Sequence, residues 1–293
     1  LSEYGLYSKK TNKKTAGKTE QEVYKKLGMK WIPPELRESR GEIEAAKKGR
    51  LPKLITMDDI RSDLQMHSNY SDGSSTIMEM AAKAEKKGYD YIAITDHSKS
   101  QRIANGMDEK RIRKQWKEIE KAQKNANVKI LKGAEVDILR DGSLDYPDSI
   151  LKELDIVLAA VHSGFKAQKK DMTNRITKAM ENKNVNILAH PTGRMLLKRK
   201  PYDADMGRIF QAAKDNNVAV EMNSDPERLD LNDAMIMQAK EYRVKFSLGT
   251  DAHSTSGLEN MRFGLGQARR AWLGKKDVIN TYTLKRLESF LSR

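Results

Sequence analysis

Seven apolar, strand-like runs recur along this chain, and its five histidines all stand where such a run gives way to polar residues. His67 ends Asp-Leu-Gln-Met-His and His97 ends Ile-Ala-Ile-Thr-Asp-His. His162 ends Val-Leu-Ala-Ala-Val-His, His190 falls in Asn-Ile-Leu-Ala-His-Pro, and His253 ends Ser-Leu-Gly-Thr-Asp-Ala-His. Asp72, Glu135 and Asp251 share these positions. Histidines scattered over a solvated surface would not choose strand ends every time. Imidazoles and carboxylates converging from many strands are what a multinuclear metal site requires. The chain therefore reads as a metal-dependent enzyme.

The runs span residues 60–66, 89–95, 128–136, 156–161, 185–189, 218–222 and 244–248. Amphipathic stretches lie between them. Residues 75–87 place Ile77, Met80, Ala81 and Ala84 on one face, with Gly88 as a stop. Residues 108–124 align Ile112, Trp116 and Ile119. Residues 231–241 and 282–292 read similarly. Seven βα units in series predict an α/β fold with a parallel sheet, and closure into a barrel is its natural solution. Such barrels keep their chemistry at the C-terminal ends of the strands, where the histidines fall.

Residues 1–50 differ. Residues 1–10 suggest a short amphipathic strand. Residues 20–27 suggest a helix opened by Thr19 and closed by Gly28, and residues 41–48 a second one. Residues 31–37 carry Pro33 and Pro34 and read as extended. This segment has too few apolar residues to be a domain alone. The expected division is 1–50 as the remnant of something larger plus a linker, and 51–293 as the barrel domain.

Composition narrows the chemistry. With no cysteine, any metal must be held by nitrogen and oxygen, which suits zinc, manganese or iron and fits a reducing cytoplasm. No run reaches transmembrane length and no signal-peptide pattern opens the chain. The net charge of +14 suits a polyanionic partner, nucleic acid foremost.

The motifs can be set side by side. Gln65-Met-His-Ser-Asn-Tyr-Ser-Asp-Gly73, Ile94-Thr-Asp-His-Ser98, Gly133-Ala-Glu-Val-Asp-Ile138, Val161-His-Ser163, Ala189-His-Pro-Thr-Gly-Arg194 and Thr250-Asp-Ala-His253 resemble the PHP (polymerase and histidinol phosphatase) superfamily. Asn223 to Leu231, Ser2 to Leu6, Gly17 to Glu20 and Ile32 to Glu38 resemble the PHP-bearing family X DNA polymerases in particular, the last three matching the end of the thumb and its linker. The resemblance covers essentially the whole chain. It implies a distorted (β/α)7 barrel with a short N-terminal α+β extension, and polymerase domains upstream in the same protein. It implies two to three divalent ions. Gln65, His67, Glu135 and Asp251 would hold the first; Glu135, His162 and His190 the second; Asp72, His97 and His253 the third. The chain departs from the pattern once: the family has His-x-His where this chain has Gln65-x-His67. A neutral amide oxygen is a weaker ligand than imidazole, so the first site should lose affinity.

Glu135, His97 and Arg194 are the expected catalytic residues, and Arg102, Arg194 and Arg228 the expected phosphate contacts. Lys198 to Lys200 form a basic run, and Tyr70 and Tyr202 are candidates to stack on a terminal base. The resulting expectation is a hydrolase, cytoplasmic, that cleaves DNA phosphodiesters from a 3′ end or at abasic or blocked ends in repair. The alternatives are a phosphomonoesterase of histidinol-phosphatase type and a DNA-binding module with impaired catalysis.

Overall fold

Alternation along each strand carries the whole design. In a strand, successive side chains point to opposite faces, so one column of residues faces the barrel axis. Ile156, Leu158 and Ala160 form such a column, and His162 follows in the same phase. Leu131, Gly133, Glu135 and Asp137 form another, and Ala219, Glu221 and Asn223 a third. Each column is apolar at the bottom and polar at the top. The lower half fills the barrel core; the upper half furnishes a site.

The computed structural model describes residues 1–292. Two short antiparallel strands, β1 (Leu6–Tyr7) and β2 (Lys14–Ala16), open the chain, followed by helices α1 (Glu20–Lys26) and α2 (Glu42–Lys47). Seven parallel strands then pair strictly in chain order: β3 (Ser62–Asp63), β4 (Tyr91–Ile94), β5 (Lys129–Asp137), β6 (Ile156–Ala160), β7 (Ile187–Leu188), β8 (Ala219–Asn223) and β9 (Phe246–Gly249). Helices α3 (Ile77–Lys86), α4 (Glu109–Gln123), α5 (Asp148–Leu151), α6 (Lys169–Met180), α7 (Met206–Asp215), α8 (Asp233–Glu241) and α9 (Met261–Arg270) follow the strands in turn. The last helix, α10 (Leu284–Leu291), brings Leu287 beneath the barrel, where it joins Ile279 and Tyr282 against the inward columns. The expected barrel is thus present, with every strand at its expected place. No helix among the described residues is long and apolar enough to cross a membrane.

Closure between β3 and β9 is made differently from the other joints. There is no strand ladder between them, and buried side chains supply the ties. The Asn280 amide donates to Ser62 O (3.0 Å) and Leu248 O (2.8 Å) and accepts from Leu248 N–H (2.7 Å). Higher up, Asp63 accepts from the Thr250 N–H (3.1 Å) and hydroxyl, and a single bridge joins Met66 to Ala252.

The N-terminal segment is bound to the barrel rather than strung beside it. Ile32, Leu36, Ala46 and Leu54 are buried together, with Trp272 packed against them. Ion pairs Glu35–Arg269 (2.7 Å), Arg40–Asp233 (2.6 Å) and Glu38–Arg270 (2.6 Å) fasten the same stretch to α8 and α9. Residues 34–36 form a 3-10 turn where an extended stretch was expected; Pro34 at the first position loses no hydrogen bond there. Helix α6 escaped the periodicity reading because Thr173 and Arg175 are buried on its inner face and break the apolar stripe.

Replacing Asn280 by alanine would leave three buried backbone groups without partners at the seam. The expected loss of stability is about 2–4 kcal/mol, since each unsatisfied buried group costs roughly 1–3 kcal/mol before relaxation. It would be read as a fall in the urea midpoint at unchanged slope. An unmoved midpoint would show that the seam holds without this side chain.

Candidate metal centre

Glu135 stands at the centre of the barrel mouth and is buried to 1%. Its two oxygens face different groups. Oε1 lies 2.6 Å from His190 Nε2 and 3.1 Å from His162 Nε2. Oε2 lies 3.1 Å from Gln65 Nε2, 3.3 Å from His67 Nε2 and 3.6 Å from His97 Nδ1. Asp251 Oδ1 approaches His67 Nε2 at 3.0 Å. Asp72 Oδ2 lies 3.3 Å from His253 Nε2 and 3.7 Å from His97 Nε2. The His67 ring is stacked between those of His97 and His253, 4.4 Å from each.

All nine residues expected as ligands therefore meet in one place. Three groups bring their ligand atoms close enough to share an ion: His67, Asp72, His97 and His253; His97, Glu135 and His162; and His67, Glu135 and Asp251. His67 and His97 belong to two groups each, with one ring nitrogen toward each. His190 adds to the Glu135–His162 side through Oε1 of Glu135.

The donor set fits divalent ions. His67 Nδ1, His97 Nδ1, His162 Nε2 and His190 Nδ1 are buried with no hydrogen-bond partner. Such groups are costly unless something accepts their lone pairs or protons. Charge points the same way. Burial alone would raise the Glu135 carboxyl, but His97, His162 and His190 more than offset it and hold it well below the usual carboxylate range. Asp251 is likewise held low against its burial, by His67 and the Arg228 charge. Two ionised carboxylates this deep call for positive charge between them.

Local structure places these groups. The Ser-Asp-Gly turn carries Asp72 back over His67, and Gly73 is required there: a Cβ would sit 2.5 Å from the His67 carbonyl oxygen. His190 and Asp251 have left-handed backbones, at φ 27° and φ 54°, a strain expected at functional positions.

A supporting shell surrounds the site, and much of it escaped the sequence reading. Asp137 lies 2.5 Å from His162 Nδ1, which leaves Nε2 for Glu135 and any ion. Asn223 Nδ2 donates to Asp251 Oδ2 (3.0 Å). Glu221 accepts the His190 N–H (2.7 Å), and burial together with the Asp251 charge pushes its carboxyl well above the usual range. Asp96 takes hydrogen bonds from Ser68, Ser71 and Gln115 beneath the Asp72 turn. Asp137 was findable, since it follows Glu135 by two and so shares its face; Glu221 and Asn223 obey the same rule.

The expected phosphate contacts fare differently. Arg228 lies in the site: Nε donates to Asp251 Oδ2 at 3.1 Å, and Nη1 has no partner. Arg194 directs Nε (2.9 Å) and one Nη to the carbonyls of Arg228 and Leu229, so it braces the loop that carries Arg228. Arg102 is exposed on the rim, and its side chain makes no ion pair among the described residues. Lys198 pairs with Glu227. Tyr202 cannot stack on a base: it is buried, its hydroxyl donating to Pro191 O (2.6 Å).

Comparison with known proteins adds the following. The PHP domain family model matches residues 63–225, more than half of the chain, and the DNA polymerase beta thumb model matches residues 1–38. The DNA polymerase/3′-5′ exonuclease PolX of Bacillus subtilis (strain 168) is 42% identical over 294 residues, covering 100% of this chain and 51% of that protein. The chain thus spans about half the length of that relative. A probable phosphatase of Thermoanaerobacter sp. (strain X514) is 33% identical over 222 residues, covering 71% of this chain and 84% of that protein. Among solved structures, histidinol phosphate phosphatase from Lactococcus lactis, complexed with zinc, L-histidinol and phosphate, aligns with a TM-score of 0.51 at 17% identity. The alignment covers 71% of this chain and 93% of that one, a likeness of fold.

Protein loaded with zinc or manganese and then desalted should retain about two equivalents or more, because buried imidazole and carboxylate donors bind divalent ions through deprotonated atoms. Glu135→Gln should lower the content at two groups at once. Gln65→His should raise occupancy, most visibly at low metal. Less than one equivalent in the parent protein would sink the assignment.

Proposed function

From the premise that the chain belongs to the PHP domain family and is a metal-dependent hydrolase, we infer that its substrate is DNA and that it removes nucleotides from a 3′ end. The observation that carries this is the thumb segment, matched over residues 1–38 and fastened to α9 by Glu35–Arg269 and Glu38–Arg270. The net charge of +14 supports a polyanionic substrate. The Bacillus relative, a DNA polymerase with 3′-5′ exonuclease, supports the same reading. Polymerase domains in the same protein and a cytoplasmic role in repair, at abasic or blocked 3′ ends, belong to this reading.

Two or three divalent ions, zinc or manganese by ligand type, would be held by the nine converging residues; when bound they supply Lewis acidity toward a water and a phosphate oxygen. The protein's own groups do the rest. Glu135 offers one oxygen to each side of the centre. Asp137 fixes the tautomer and orientation of His162. Arg228, its Nη1 unpartnered beside Asp251, offers a donor to a phosphate oxygen. Arg194 acts through Arg228 by holding its loop, which makes it a positioning residue. The side chains of His253 and Asp72 are 42% and 30% exposed, so the phosphate approaches over them.

An end-labelled oligonucleotide with manganese should be shortened stepwise from its 3′ end. A small phosphate monoester should react with far lower kcat/KM; the reverse preference would overturn the DNA reading. Arg228→Ala should lower turnover by about 10²-fold, the scale for one preorganised charge donor. Oligonucleotide affinity should fall steeply with salt, because phosphate neutralisation releases counterions.

A further inference from the structure

Large hydrophobic side chains left in water on the barrel are few and not randomly placed. Among the described residues from 60 onward they are Ile103, Leu139, Leu196 and Leu197. All four lie on loops that follow strands at the catalytic end, after β4, β5 and β7. Two are essentially fully exposed, Ile103 at 99% and Leu197 at 108%. Their shared placement on loops at the catalytic end is what gives them interest, since single exposed apolar residues are otherwise ordinary.

These two tips are held firmly. Ile103 stands on the loop between His97 and α4, which is closed by a bridge from Ser98 to Met107. Arg111 clamps that loop through the carbonyls of Asn105 (2.8 Å) and Gly106 (3.1 Å) and also grips Tyr70 O, next to the turn bearing Asp72. Leu197 is the tip of a small hairpin after His190, closed by paired bonds between Met195 and Arg199 (2.9 and 2.8 Å). Leu196 N–H is tied to Glu227 O (2.6 Å), and the Arg199 guanidinium lies 4.0 Å over the Phe165 ring. The backbone of Leu197 is left-handed, at φ 60°, where glycine or asparagine would sit without strain. A strained position thus presents a bare leucine to solvent. In the strand order β4 is second and β7 fifth of seven, so the two loops rise from well-separated places around the mouth. Basic residues flank both: Arg102 beside Ile103 and Lys200 beside Leu197, together with Lys99 and Lys198, which are paired with Glu109 and Glu227.

We propose that Ile103 and Leu197 form a two-sided apolar wedge that unstacks the terminal bases of a DNA strand as its 3′ end enters the metal centre. The proposal rests on the DNA reading above and deepens it. Flanking cations fit the phosphates, and the apolar tips fit base faces, as aliphatic wedges do between base steps. Glu135 and His67 are buried, which favours an unstacked end over a stacked, paired one. The wedge therefore sets the preference among ends: a blunt duplex needs it most, a dinucleotide too short to span both tips needs it least.

The test is the double variant Ile103→Ser/Leu197→Ser, with its thermal midpoint compared with the parent. The ratio of blunt-duplex to dinucleotide hydrolysis should fall by about tenfold or more, in line with the loss of base contacts worth roughly that factor each. Independently of catalysis, 2-aminopurine at the penultimate 3′ position should brighten on binding to the parent and stay dim on the double variant. An unchanged ratio together with equal brightening would overturn the wedge while leaving the DNA reading intact. A parent protein that hydrolyses neither dinucleotide nor duplex but does cleave monoesters would overturn the DNA reading and the wedge with it.

Discussion

A single buried carboxylate organises this protein. Glu135 faces four imidazoles and the Gln65 amide within 3.6 Å, yet is 1% exposed. An ionised carboxylate at that depth is intolerable without dense compensation. The barrel supplies the compensation from different strands: His67 after β3, His97 after β4, His162 after β6 and His190 after β7. The fold must close before the charge is satisfied, so any strand displaced from the ring would unpair part of the site.

Much of this was legible in the sequence because it depends on local patterns. Apolar runs marked all seven strands, and polar residues at the ends of six of them marked the site. The barrel and the convergence of the histidines with Glu135 and Asp251 follow from those two signals; Gln65 and the division into three sites came from the PHP resemblance. What stayed hidden depends on contacts between distant segments. Nothing local says that Asn280 stitches Ser62 to Leu248, or that Arg194 braces the Arg228 loop. Tyr202 looked available for a base because loop tyrosines are indistinguishable from buried ones until packing is known. The docking of residues 31–54 was also invisible, since Ile32, Leu36, Ala46 and Leu54 are too sparse to form a periodic stripe. Asp137, Glu221 and Asn223 are an intermediate case: the period-2 rule contains them, once the inward phase of each strand is fixed by its histidine or glutamate.

Gln65 shows how a conservative-looking change alters a charged site. Its Nε2 donates to Glu135 Oε2, and its Oε1 faces Asn223 Nδ2 at 3.4 Å. That orientation follows from the charge on Glu135, which needs a donor and would repel an amide oxygen. A glutamine so placed serves the carboxylate. To serve an ion it would have to turn over, surrendering the hydrogen bond to Glu135 and the contact with Asn223. Histidine carries no such conflict, because one neutral nitrogen can face an ion while the other keeps a hydrogen bond. The weakness expected of the first site thus arises from competition as well as from a poorer ligand.

The seam between β3 and β9 links stability to chemistry. Every other pair of neighbouring strands is joined by a ladder. Here the ties are Asn280 below and Asp63–Thr250 above, with Asp251 N–H donating to Gln65 O (3.1 Å) and His67 N–H to Ala252 O (2.8 Å) at the top. His67 and Asp72 come from one side of this seam, Asp251 and His253 from the other. The open edge of the site, over Asp72 and His253, therefore lies where the barrel wall is narrowest in backbone hydrogen bonds. A full ladder would extend both strands and carry their pleat across the mouth. Short strands tied by buried polar side chains let the chain turn early, at the left-handed Asp251 and the Ser-Asp-Gly turn, and leave room for a phosphate. The same buried side chains that close the barrel thus define its entrance.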